Sequence, residues 1–324
     1  MKAIRIDRQG GPDVLKLADV DRPVPQTGEV LIRQGAIGIN YIDVYIRTGA
    51  YPRETPFILG MEGAGTVEAV GPGVTDIRAG DRVGYCGSPK LGAYAEYNAI
   101  PAGEAVPIPD GIDDQTGCAL MLQGITAHYL THSTYPIASG DTVLIHAAAG
   151  GVGLLLVQLA KLRGATVIAT AGGPEKIALA KGAGADHVID YKTTDFAPEV
   201  KRITNNTGVA AVYDAVGADT FDRSMSILRK RGYLVLYGAS SGPVPAVDPQ
   251  RLAGAGSIFL TRPTLGDYKL TRDELLGRAR DLFALVQAKK LNVRIGATYP
   301  LGNAAQAHRD LEARNTTGKI VLLP

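Results

Sequence analysis

The chain has 324 residues, 45% hydrophobic and 20% charged, with a formal net charge of +2. That composition excludes a disordered or fibrous chain, the length favours two cores over one, and the charge balance supplies no global field for gripping nucleic acid or an anionic membrane. Two cysteines, Cys86 and Cys118, are too few for a disulfide framework or a four-thiolate zinc site; the first residues show no charged-then-apolar leader, so a cytoplasmic setting is expected.

Up to about residue 120, short Val/Ile-rich stretches alternate with Gly and Pro, as at 29–37, 65–70 and 81–85, which predicts a compact, mostly β domain. From Asp141 apolar runs alternate with helical patterns. Strands are expected at 142–147, 165–170, 187–190, 209–216, 233–238 and 257–261, with helices at 151–163, 174–181, 195–204 and 219–228. Six strands with such crossovers predict a doubly wound parallel sheet. The apolar run 152–160 is broken by Gln158 and is far shorter than the roughly 20 residues of a membrane helix. The basic run Arg229, Lys230, Arg231 falls where a helix is expected to end and reads as solvated last-turn cations. After Pro263 the pattern changes. Thr271 with Glu274 predicts a capping box opening an amphipathic helix that carries Leu275, Leu276, Ala279, Leu282, Phe283 and Val286. A strand, helix and strand around Ala297, 304–314 and 319–323 are expected to rejoin the N-terminal domain.

The chemistry-bearing motif lies between the first of those strands and its helix: Ala147, Ala148, Ala149, Gly150, Gly151, Val152, Gly153. Glycines there let backbone approach a pyrophosphate while the helix N-terminus offers free N–H groups and a positive dipole; a bare glycine turn is the competing reading. An NAD site places an acid about 20 residues on. Here Thr170, Ala171, Gly172, Gly173 occupy that stretch and Lys176 follows, so NADP is expected, with a solvated helix lysine as the alternative for Lys176. Tyr191 suits either an adenine contact or a surface position. His128 and His132 share a helix face but lack both a third ligand and the glutamate of a zinc-protease motif, and His146, His187 and His308 are scattered. No Ser/His/Asp constellation is recognisable.

With Gly140, Asp141, Leu144, Ala148, Ala149, Gly150, Gly151, Gly153, Gln158 and Lys161, the chain resembles the quinone oxidoreductase and ζ-crystallin branch of the medium-chain dehydrogenases. The resemblance runs from Gly10, Gly11, Pro12 through Gly38, Ile39, Asn40 and Gly60, Met61, Glu62, Gly63 to Thr317, Gly318, Lys319. It implies a GroES-like, mostly β catalytic domain over residues 1–123 and 264–324, a Rossmann NADPH-binding domain over 124–263, cofactor in the cleft, and a homodimer joined through the Rossmann sheets. Carried across by position, it puts Asn40 and Tyr45 beside the nicotinamide, Tyr129 near the cofactor, and Gly150, Gly151 and Val152 on the pyrophosphate. Gly172, Gly173, Lys176, Tyr191 and Arg314 would hold the adenosine phosphate end. Gly238, Ala239, Ser240 and Ser241, with Pro263, Thr264 and Leu265, would close over the nicotinamide side.

Zinc-dependent relatives carry a cysteine near Asn40 and Gly-His-Glu where this chain has Gly60, Met61, Glu62. Amide and thioether are poor replacements for thiolate and imidazole on zinc, so metal-free chemistry is expected. A quinone accepts hydride without a Lewis acid, and Tyr45 and Tyr51 are candidate pocket residues for its oxygen; both equally suit structural aromatics. NADPH reduction of an α,β-unsaturated carbonyl asks for the same fold and cofactor and is the alternative. A structural or RNA-binding role, known in the ζ-crystallin branch, fits the balanced charge less well.

Overall fold

The structure, a computed structural model, describes residues 1–87 and 90–324 and divides into two units, Met1–Ile125 with Lys269–Pro324, and Thr126–Tyr268. The first unit begins with β1 (Lys2–Ile6), β2 (Lys16–Asp19) and β3 (Glu29–Ile39), then helix α1 (Tyr41–Thr48) and strands β4 (Phe57–Ile58), β5 (Glu62–Val70), β6 (Arg82–Cys86), β7 (Tyr97–Pro101) and β8 (Val106–Pro107). β3 is its axis. It pairs antiparallel with β5 along one edge and with β7 over its first residues, and its Val30, Ile32, Ile37 and Ile39 are buried in one apolar cluster with Ile4, Leu59, Tyr85 and Tyr94.

A helical run follows: α2 (Asp114–Ala119), a π-helical turn over Leu120–Gly124, α3 (Ile125–Tyr129) and a second π turn over Leu130–Thr134. Each π turn shifts the i→i−4 ladder, releasing backbone groups to other partners, a feature frequent at functional sites.

The second unit is a six-stranded parallel sheet. In chain order it runs β9 (Thr142–Ile145), α4 (Gly151–Leu162), β10 (Thr166–Ala171), α5 (Pro174–Gly182), β11 (His187–Asp190), α6 (Phe196–Ile203), β12 (Val209–Asp214), α7 (Phe221–Met225), β13 (Leu228–Leu236), α8 (Gln250–Gly254) and β14 (Phe259–Thr261). The spatial order β11-β10-β9-β12-β13-β14 is that of a doubly wound Rossmann sheet, as the β/α alternation predicts. Strands buried on both faces read as near-continuous apolar runs, and all six residues of β12 are buried.

Two local expectations are corrected. The helix expected over 219–228 is only α7, and Leu228 already belongs to β13; Arg229, Lys230 and Arg231 therefore lie in a strand, not at a helix end. The reason is an irregular ladder. Val209 pairs with Leu228 but Ala211 pairs with Tyr233, so the basic residues bulge from the pairing, with Arg231 in the left-handed region and Arg229 Nη1 3.2 Å from Asp141.

The chain then returns to the first unit through α9 (Arg272–Gln287), β15 (Ile295–Pro300), α10 (Ala304–Glu312) and β16 (Lys319–Leu323). β16 pairs antiparallel with the end of β3, Ile320 opposite Ile39. At the start of α9, the Thr271 hydroxyl accepts the Glu274 N–H, while the Glu274 carboxylate takes the N–H of Leu270, one residue earlier than the expected box. Among the described residues no helix is long and apolar enough to cross a membrane.

Candidate active site

In the second unit the chain leaves β9 through His146 and Ala147, the latter left-handed at φ 52°. Gly150 then caps α4 from an extended conformation, and the first helical bond runs from the Leu154 N–H to the Gly150 carbonyl at 2.9 Å. The N–H groups of the first turn have no intrahelical acceptor and face outward as an anion cradle. Gly153 is sterically required: a Cβ there would lie 2.3 Å from the Ala147 carbonyl oxygen and 2.8 Å from Ala148 Cα. Two further residues of the motif are structural. Gln158 bonds back to the Leu154 carbonyl, and the Lys161 ammonium is held by both Asp186 oxygens and the Ala165 carbonyl.

Because the strands are parallel, everything after their C-terminal ends shares one sheet edge. The structure brings to that edge Gly150, Gly151 and Val152 after β9, Gly172 and Gly173 after β10, Tyr191 after β11, Gly238, Ala239, Ser240 and Ser241 after β13, and Pro263, Thr264 and Leu265 after β14. β10 ends in Ala171 with no acid. Tyr191, 40% exposed, lays its ring on the backbone of Gly172, where a Cβ would meet Tyr191 Cζ and Oη at 2.7 Å. Lys176 stands in the first turn of α5. Tyr129 is buried and stacks on Tyr268, centroids 4.2 Å apart and 8° from parallel.

Beneath this edge lies a buried polar network that the sequence did not reveal. His146 Nδ1 is 2.9 Å from the Thr170 hydroxyl and its Nε2 is 3.0 Å from Ser224 Oγ, which donates to Asp214 Oδ2 at 3.1 Å. Serine sits between histidine and aspartate, so this is not the Ser-His-Asp order of a hydrolase, and all three are buried. Burial first, opposed by Asp214, holds the imidazole below its ordinary pKa. Asp214 also accepts the N–H groups of Val216 and Gly217 and the Thr220 hydroxyl. Ser240 and Ser241 then bond through their N–H groups to the carbonyls of Ala215 and Val216. The network fixes the loops after β12 and β13 to each other. His128 and His132 stack at 4.1 Å and 4°, presenting ring faces to each other rather than converging lone pairs.

In the first unit, Asn40 follows β3 and caps α1, and its side chain is enclosed. Its Nδ2 donates to Glu62 Oε2 at 2.7 Å; its Oδ1 accepts from Gln123 Nε2 at 3.1 Å and from the Lys319 ammonium at 3.0 Å. Glu62 and Lys319 form a fully buried ion pair, and Glu62 Oε1 accepts the Leu122 N–H that the first π turn releases, at 2.6 Å. Gly38 makes room for the pair, since a Cβ there would lie 2.0 Å from Glu62 Oε2. Gln123 Oε1 is buried without a hydrogen-bond donor among the described residues. Asn40 thus spends its bonding capacity inward. Met61 packs against the apolar cluster, and among the described residues no group of three or more His, Cys, Asp or Glu is placed to hold a metal ion.

Tyr45 lies between Tyr41 and Tyr51, with centroids at 5.4 and 5.3 Å, and the Tyr51 N–H bonds to the Tyr45 carbonyl. Tyr41 was not singled out from the sequence, although its i, i+4 spacing to Tyr45 on α1 was available as a signal. Burial, then the nearby Glu312 charge, raises the Tyr41 hydroxyl above its ordinary pKa. Arg314 follows α10 in a left-handed conformation and belongs to the first unit, whereas Lys176 and Tyr191 belong to the second.

Behind α1 runs a second buried chain. Arg47 forks onto Glu312 at 2.7 and 3.0 Å and reaches His308 Nδ1; His308 Nε2 meets the Tyr94 hydroxyl, which donates to Asp43 Oδ2; Asp43 in turn accepts the Asn40 N–H at 2.8 Å. Burial, only partly offset by the Asn40 N–H, pushes the Asp43 carboxyl up to about 7, and burial together with Arg47 pushes His308 down to about 3.

Residues 26–110 match the alcohol dehydrogenase GroES-like domain and residues 151–274 the zinc-binding dehydrogenase family. The chain is 44% identical to a quinone oxidoreductase of Pseudomonas aeruginosa over 100% of its length and 99% of that protein's. It is 43% identical to a 2-haloacrylate reductase of a Burkholderia species, with 98% of each covered. The crystal structure of Escherichia coli quinone oxidoreductase complexed with NADPH superposes with a TM-score of 0.98 at 42% identity, covering 100% of both chains. At that identity over the full length of both sequences, the chain belongs to the quinone oxidoreductase family of the medium-chain dehydrogenases.

Proposed function

We propose that this protein is an NADPH:quinone oxidoreductase that works without a metal. The observation that carries the reading is the edge of the parallel sheet: a glycine-built cradle at the N-terminus of α4, and a second strand that ends in Ala171 and is followed by Gly172 rather than by an acid. The groups present fit NADPH. The N–H groups of Gly151 and Val152 would take the pyrophosphate, Gly172, Gly173, Lys176, Tyr191 and Arg314 the phosphorylated adenosine, and Gly238 to Ser241 with Pro263 to Leu265 the nicotinamide side. In domain terms, residues 124–263 would bind the cofactor and residues 1–123 with 264–324 the quinone.

Bound NADPH supplies hydride. The protein's share is orientation and exclusion of water. Asn40, clamped by Glu62, Lys319 and Gln123, fixes the entry to α1, and with it the position of Tyr45 and Tyr51, whose hydroxyls would bond a quinone oxygen. The hydroquinone anion is stabilised by its own ring, so no strong acid is required. At the positions where zinc-dependent relatives hold metal, this chain offers an amide already bonded to Glu62, Gln123 and Lys319 and a partly buried thioether packed against the apolar cluster, a donor set that does not suit zinc. The 43% identity to a 2-haloacrylate reductase supports NADPH reduction of an activated double bond as the second reading.

A cytoplasmic setting is supported by two free, buried cysteines. A homodimer through the Rossmann sheets is supported by the free edge at β14, where Phe259 is 49% exposed and stacks on Tyr233 at 4.6 Å; sedimentation of wild type against Phe259→Lys tests it.

The test of function is anaerobic stopped-flow oxidation of NADPH by 1,4-benzoquinone and by 9,10-phenanthrenequinone, beside NADH and an enone, on chelator-treated protein. Rapid, chelator-resistant turnover of quinone with NADPH preferred is expected. Turnover of the enone alone would transfer the assignment to the second reading, and loss of activity on chelation would overturn the metal-free mechanism.

A further inference from the structure

We propose that Lys192 is a third cation of the adenosine 2′-phosphate subsite, beside Lys176 and Arg314, and contributes to the preference for a 2′-phosphorylated nucleotide, a role that rests on the NADPH reading above. Lys192 stands two residues past the end of β11, outside the glycine motif and outside α5. Its side chain folds back over the turn that ends β10. A Cβ on Gly172 would lie 3.2 Å from Lys192 Cε, and one on Gly173 would lie 3.9 Å from Lys192 Nζ. The ammonium therefore hangs over the two glycine peptides where β10 gives way to α5.

The surroundings make that position a place for a dianion. Asp190 Oδ1 accepts the N–H of Gly173 at 3.3 Å and of Lys192 at 3.0 Å, tying the β10 and β11 turns together and spending that oxygen on backbone. Gly173 has a left-handed φ of 89°, which leaves the turn open where a side chain would intrude. α5, nine residues long, points its N-terminus at the same turn. Lys161 is consumed by Asp186, but the Lys192 ammonium has neither a hydrogen bond nor an ion pair among the described residues. A lone ribose hydroxyl gains little from an ammonium, whereas a phosphate gains a charge-assisted bond.

The experiment is equilibrium binding of 2′,5′-ADP and of 5′-AMP to wild type, Lys192→Gln and Lys192→Arg, read by displacement of fluorescent NADPH and by calorimetry, with thermal melting as the folding control. Wild type is expected to prefer 2′,5′-ADP. Lys192→Gln should weaken 2′,5′-ADP about tenfold, leave 5′-AMP within about twofold and flatten the salt dependence, and Lys192→Arg should restore most of the loss. Equal effects on both nucleotides, or none on either, would overturn the assignment of Lys192 while leaving the NADPH reading intact. Wild type that fails to discriminate the two nucleotides would remove the NADPH reading itself, and the role of Lys192 with it.

Discussion

The cradle at the start of α4 and the cluster around Asn40 solve the same problem, holding something in place, by opposite means. The cradle is made of backbone: glycines, a left-handed Ala147 and a helix end, and the atoms nearest to a Cβ on Gly150 or Gly153 are backbone. The Asn40 cluster is made of side chains from four segments far apart in sequence, Asn40, Glu62, Gln123 and Lys319, with one backbone N–H released by a π turn. A backbone device tolerates exchange of most side chains around it and fails when space is lost. A buried charged cluster fails when one partner is lost, because the other charge stays desolvated.

That contrast predicts where the largest effect lies. Lys319→Met leaves the Glu62 carboxyl buried beside Gly38 without its cation, and should cost about 3 to 5 kcal/mol in urea unfolding. Adding Glu62→Gln keeps acceptance from Leu122 without the charge and should recover more than half of the loss. A single variant within about 1 kcal/mol of wild type would mean that the pair is not the clamp described.

The next effect is one of pH. Asp43 binds a proton in the folded state up to about pH 7 but only to about pH 4 when unfolded, so its contribution is full below about 4 and is lost as pH rises through 7. His308, neutral when folded, acts in the opposite sense: its contribution is present above its unfolded pKa near 6.5 and is lost as pH falls towards 3. Asp43→Asn should remove the first of these. Wild type minus variant stability should fall between pH 4 and 7, by about 4 kcal/mol at most at about 1.4 kcal/mol per pH unit. Parallel stability curves for the two proteins would show that Asp43 does not titrate in that window.

The same contrast explains what was legible in the sequence. Period and punctuation marked the six parallel strands and the turn from His146 to Gly153, because a backbone device must be spelled locally in glycines. The helix expected over 219–228 stops at Met225 because the bulge after Leu228 depends on pairing with Val209 and Ala211, which no local pattern encodes. Glu62, Gln123 and Lys319 meet only through the antiparallel return of β16 onto β3, and His146, Ser224 and Asp214 only through the sheet. The one local hint was a lysine opening the otherwise apolar strand Lys319–Leu323.

Gly153→Ala tests the backbone device. Its Cβ would overlap the Ala147 carbonyl, so α4 must shift, at a cost of about 1 to 3 kcal/mol, and NADPH affinity should drop about tenfold while the unfolding midpoint moves less than for Lys319→Met. Stability lost with affinity unchanged would mean that the first turn of α4 does not hold the cofactor.

The smallest effect belongs to the tyrosines, and it separates contact from scaffolding. Tyr45→Phe and Tyr51→Phe keep the ring contacts with Tyr41 and with each other, removing only a hydroxyl worth about 1 kcal/mol as a hydrogen bond. If either hydroxyl bonds the quinone, that variant should lose about three- to tenfold in kcat/KM for quinone while its NADPH Kd and melting temperature stay put. Loss of melting temperature without loss of kcat/KM would identify the three rings as structural aromatics of the first unit. Because Tyr51 is 44% exposed and Tyr41 is held by burial, the larger kinetic effect is expected at Tyr45, the ring that touches both neighbours.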